Sequence, residues 1–127
     1  MALRTPFAIL PALRLTGVIF GVLCVSSVLT VLFGNAGLLV ASLLAGLVDV
    51  DGVTVAACAQ AAGPNPTVTP ELGTIAIFVG VASNTIVKSG ILFVVGSRPM
   101  AKTAAAWLLG SLVAGGAGVA AAKALLG

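Results

Sequence analysis

The chain has 127 residues, 60% of them hydrophobic, with six basic and three acidic side chains, a net charge of +3 and no histidine. A soluble domain carries about 25% charged residues and this chain 7%, which excludes a soluble enzyme, a disordered chain and a nucleic-acid binder. The absence of histidine also removes imidazole metal sites and histidine base catalysis.

Membrane-spanning helices need roughly 20 mostly apolar residues. At the N-terminus, Thr5-Pro6 opens a short stretch that Pro11 interrupts before the first span. The first candidate span covers 13–33, a run too long for the apolar core of a signal peptide. Gly34-Asn35-Ala36-Gly37 then reads as a tight turn. The second covers 38–62 and contains Asp49 and Asp51. Gly63-Pro64-Asn65-Pro66 cannot continue a helix. Thr69-Pro70-Glu71 has the signature of a helix start: a hydroxyl cap, proline at the first position, and an acid near the positive dipole end. The third span, 72–95, contains Asn84 and Lys88, and Gly96-Ser97-Arg98-Pro99 ends it. The fourth, 103–126, is rich in Ala and Gly. No segment alternates as a β-barrel strand would. The expectation is one all-α integral membrane domain over residues 1–127 with four transmembrane helices. Four crossings put Arg4, Arg14 and Lys123 on one side and Arg98 and Lys102 on the other. That slight excess favours both termini in the cytoplasm.

Most charges fall at segment ends, with Glu71 a helix-start charge. Asp49 and Asp51 lie roughly 18 Å from either end of their span at 1.5 Å per residue. An aspartate at that depth costs on the order of 3 kcal/mol to insert. Asn84 and Lys88 occupy the same depth one helix later, so the four are expected to face each other, with Lys88 offsetting one carboxylate. Residues i and i+2 of a regular helix point about 200° apart. Either the helix opens near Gly46 and Gly52, or one aspartate faces a second subunit. Broken helices at the midplane are how transporters build ion sites. Ser83, Asn84 and Thr85 supply oxygens for a hard cation or partners for the carboxylates. A buried ion pair that only fixes helix packing is the plainer alternative.

Gly17 and Gly21 form a GxxxG pair, and Gly110, Ala114, Gly118 and Ala122 repeat every four residues, a stripe suited to close helix packing within or between subunits. Trp107 reads as an interface anchor. Cys24 and Cys58 read as small buried apolar residues.

Two blocks carry a family resemblance. Gly46-Leu47-Val48-Asp49-Val50-Asp51-Gly52-Val53-Thr54 is followed one helix later by Val81-Ala82-Ser83-Asn84-Thr85-Ile86-Val87-Lys88-Ser89-Gly90. Together with Arg4-Thr5-Pro6-Phe7 and Pro11-Ala12-Leu13, they resemble the DUF4010 membrane domain, which is often fused behind an MgtC/SapB-type membrane domain. The chain is similar to its C-terminal four-helix part. The resemblance implies an integral membrane protein linked to transport, in a bacterial inner membrane.

The expected function is ion or proton handling at a site of Asp49, Asp51, Thr54, Ser83, Asn84, Thr85 and Lys88. A bound cation is the sole ligand expected, with no cofactor. Partners are the lipid bilayer and a second copy or membrane subunit, with no nucleic acid. The alternative is a non-transporting subunit that docks a partner. No catalytic residue is expected: an intramembrane aspartic hydrolase needs two carboxylates sharing a proton, and the GxGD pattern is absent.

Overall fold

The computed structural model describes residues 8–127, so Arg4, Thr5, Pro6 and Phe7 lie outside the described residues. Five helices follow in order: α1 (Ile9–Phe33), α2 (Asn35–Gly46), α3 (Val50–Ala62), α4 (Pro70–Val95) and α5 (Arg98–Leu126). α1, α4 and α5 are each long and apolar enough to cross a membrane.

The helix boundaries have local causes. Pro11 does not precede α1 but sits in its first turn, where the N–H groups have no helical partner to lose. Gly34 alone makes the first turn, at φ 61°, in the left-handed region that glycine enters freely. Gly37 is not part of that turn. It is helical, and a Cβ there would overlap the Leu29 carbonyl of α1. At α4 the Thr69 hydroxyl accepts from the Leu72 N–H at 3.3 Å, with Pro70 and Glu71 in the first turn.

The segment 38–62, expected as one span, is instead a hairpin. α2 runs antiparallel to α1, with Gly37 beside Leu29, and Ala41, Leu44 and Ala45 beside Val22 and Val25. A continuous helix would carry α3 past the start of α1. Instead Gly52 lies against Val22, and Gln60 reaches Ser26 further along α1. Leu38 near the start of α2 shares a buried cluster with Ala57, Val68 and Ala76. In a straight helix Leu38 and Ala57 would stand about 28 Å apart. The chain therefore doubles back at Leu47–Asp49. Hydropathy could not distinguish the two folds, because two apolar helices of 12 and 13 residues add up to the length of one span.

α2 and α3 stand between α1 and α4, and α5 packs on α4 alone. Lipid tails are as apolar as leucine, so association inside a bilayer rests on close packing and interhelical hydrogen bonds. The contacts fit that rule. A Cβ on Gly46 would overlap the Gly80 backbone, and one on Gly80 would come within 2.8 Å of Val53. Ala41, Ala56, Ala57 and Ala76 are buried in the hairpin and α4, and Ala101 and Ala105 on α5. The Gln60 amide donates to the Ser26 hydroxyl at 2.7 Å, and its backbone carbonyl accepts from Thr67 and Val68.

The hairpin fills only part of the bundle. Gly80, where the tip of α2 arrives, is about 15 Å along α4 from Pro70. Beyond it the first half of α1 and the last turns of α4 are uncovered, with Leu10, Leu13, Phe20, Phe93 and Val94 exposed. The start of α1 and the α4–α5 connection lie at this open end. The α1–α2 turn, residues 63–69 and the end of α5 lie at the other. The start of α1 and the end of α5 thus lie at opposite ends of the bundle, where four crossings would have brought them to one, because the hairpin returns to the end it left.

Candidate ion site at the hairpin tip

The tip is built from the end of one helix and the start of another. The last four carbonyls of a helix lack intrahelical partners, and in α2 each finds one. Leu44 O accepts from Leu47 N–H at 3.3 Å, and Ala45 O from Val48 and Asp49 N–H at 3.0 and 2.9 Å. The other two are met from α4. Ser83 Oγ donates to Leu43 O at 2.8 Å, and Asn84 Nδ2 donates to Gly46 O at 2.9 Å. The adjacent Ser83 and Asn84 thus cap α2 in trans, and both are buried. Gly46 permits this because its missing Cβ lets the two backbones meet.

After the break, Asp49 is extended (φ −156°, ψ 140°) and stands at the N-cap of α3, and Asp51 lies in its first turn. The Asp49 side chain accepts none of the first-turn N–H groups. Both carboxylates sit at the end of α3 that carries about half a positive charge from its dipole. Asp49 is half-buried and Asp51 exposed. Because Asp49 lies outside the helix, the angular conflict between positions i and i+2 does not arise.

The remaining expected site residues disperse. Thr54 donates to Val50 O within α3. Thr85 is turned toward α5 and lines a groove with Ser111. Lys88 is exposed, one turn past the point where α2 covers α4, and it takes no part in the hydrogen bonds that Ser83 and Asn84 make at the tip. The structure therefore brings Ser83 and Asn84 to the α2 end, with Asp49 and Asp51 following in the chain at the break and in the first turn of α3, while Thr85 lines the α5 groove and Lys88 is exposed. Among the described residues no three His, Cys, Asp or Glu side chains gather as a metal site.

The expected packing stripes are not used within the chain. Gly17, Gly21, Gly110 and Gly118 have nothing within 4 Å of a Cβ position, and Ala114 and Ala122 are exposed. Close approach falls instead on Gly37, Gly46, Gly52, Gly73 and Gly80. Cys24 and Cys58, expected to be buried, are free and exposed. The Ser26–Gln60 pair was legible only as two polar residues in apolar segments.

A helical bundle with three membrane-length helices and a short apolar hairpin between two of them defines the class: an all-α protein fitted to a membrane. Residues 1–96 match the family described as Domain of unknown function (DUF4010), and the chain belongs to it. The match takes in both sequence blocks and ends at the α4–α5 connection. No curated protein and no solved structure matches the chain.

Proposed function

We propose that this is a multi-pass membrane protein in which α1, α4 and α5 cross the bilayer and α2–α3 enters and leaves by one face. Its tip would handle a small cation or protons near the midplane. The observation that carries this is the pairing of two carboxylates with a helix break about halfway along α4. Non-helical backbone at membrane depth is tolerated only where protein covers it or water reaches it. Leu47 and Val48 are exposed, as is Asp51, so the tip needs a water-filled approach, a second copy or a membrane partner around it. Asp49 and Asp51 would carry the ion or proton, Asn84 and Ser83 would hold the break open, and Lys88 would act on it only through longer-range charge.

The charge distribution also gives an orientation. Arg14, Arg98 and Lys102 belong to the open end, with Arg4 just upstream in sequence, and Lys123 alone to the other. By the positive-inside rule the open end would face the cytoplasm and the hairpin base the outside, in what we propose is a bacterial inner membrane. The tip is approached from the cytoplasmic half.

The test is flux of sodium, potassium and protons in liposomes holding the full chain. Asp51→Asn and Asp49→Asn are each expected to lower flux at least tenfold while leaving the helical content unchanged. Wild-type protein silent to all three ions, or variants as active as wild type, would overturn the proposal. The second result would favour a docking subunit without transport.

A further inference from the structure

The α4–α5 face carries a feature separate from the hairpin tip. α5 packs on α4, with Ala101 and Ala105 buried near its start and Gly116 against Phe78 further along, and a groove runs between the two helices. Its inner part, 320 Å³, is lined by Thr74, Phe78, Thr85, Ser111 and Gly115 among others. Its outer part, 560 Å³, shares Thr74, Gly115 and Val119 with the first and opens between Glu71 and Lys123. The two parts form one channel along the helices. From Thr74 to Thr85 it runs about 16 Å at 1.5 Å per residue, the depth of one leaflet of a hydrocarbon core about 30 Å thick. Phe78 floors it against Gly116, and Gly118 leaves it open.

We infer that this groove binds one phospholipid whose headgroup carries both a phosphate and a primary ammonium. An acyl chain would lie over Phe78 and Gly115, the phosphate would meet Lys123, and the ammonium would meet Glu71. The charges at the mouth decide between occupants. A lipid that is only anionic satisfies Lys123 but is repelled by Glu71, and a choline headgroup offers Glu71 no N–H donor. A helix from a second copy would place apolar side chains against both charges. The small residues Gly115, Gly118 and Ala122 matter here as the wall of a chain-width slot.

The experiment uses the full chain in mixed micelles with phosphatidylethanolamine, phosphatidylcholine or phosphatidylglycerol, reading bound lipid per protein by native mass spectrometry. Phosphatidylethanolamine is expected to be retained about fivefold over either competitor, the factor given by one exposed ion pair at the upper end of its range, about 1 kcal/mol. Glu71→Gln should erase its advantage over phosphatidylglycerol, and Lys123→Gln should lower retention of both. Gly118→Ile, at a position with open space, should block all three lipids without unfolding the chain. Equal retention of the three lipids, or unchanged preference in Glu71→Gln and Lys123→Gln, would overturn the inference. So would efficient disulfide dimerisation of Gly118→Cys in bilayers, with Cys24 and Cys58 replaced by serine, because a second copy would then occupy the groove. None of these outcomes depends on ion flux.

Discussion

The hairpin and α5 are both apolar and rich in small residues, yet they use them in opposite ways. In α2–α3 the glycines lie where a neighbouring helix arrives: Gly37 on the Leu29 backbone, Gly46 on the Gly80 backbone, Gly52 on the Val22 side chain. In α5, Gly110 and Gly118 meet nothing. Small residues permit close approach, but they contribute packing only when the topology delivers a partner. The hairpin delivers one by folding back between α1 and α4, whereas α5 has α4 on one side and no other helix. The family match follows the same division, covering the hairpin and α4 and stopping before α5.

The comparison can be broken at its root by asking whether the chain doubles back. With Cys24 and Cys58 replaced by serine, Asn35→Cys and Asn65→Cys should react with an impermeant maleimide from the same side of the membrane. A straight second span would label them from opposite sides, an all-or-none difference. Next in size is Gly46→Leu. Four added carbons would meet the Gly80 backbone, which cannot move as a side chain can, and a loss of about 3 kcal/mol or more is expected, seen as loss of the folded species in a detergent melt. Asn84→Ala leaves the buried Gly46 carbonyl without its donor and should cost about 1–3 kcal/mol, with the melt shifted but still cooperative. Smallest, and of opposite sign, is Gly110→Ala. The added methyl enters open space and relieves the backbone entropy of a mid-helix glycine, so stability should rise by about 0.5–1 kcal/mol. If Gly46→Ala and Gly110→Ala behaved alike, the contrast between hairpin and α5 would fall.

What the sequence makes legible is local. The Thr69-Pro70-Glu71 start and the breaks at Gly34 and Gly63 are encoded within a few residues, by backbone freedom and missing donors, and the structure keeps them. The concentration of Asp49, Asp51 and Asn84 near one level is likewise visible, because charge is scarce. The direction of α3 is not. A helix of 13 residues after a three-residue break carries no local sign of whether it continues or returns; that is decided by Gly46 against Gly80 and Gln60 against Ser26, pairs 34 residues apart in each case. Lys88 and Thr85 were assigned to the site by spacing along α4. Yet α2 ends at Gly46, so Lys88, one turn further along, is exposed, and Thr85 is rotated toward α5. Helical register alone cannot say where a neighbouring helix stops.

The return of the hairpin to its own face has a consequence for how such a unit can be multiplied. Under the proposed topology α1, α4 and α5 make three crossings, an odd number, so the end of α5 would lie across the bilayer from the start of α1. Two copies joined in tandem would therefore be threaded upside down relative to each other. Each tip would then reach the same mid-depth from opposite faces, and a simple gene duplication would produce a pair of facing hairpin tips without any new structural element.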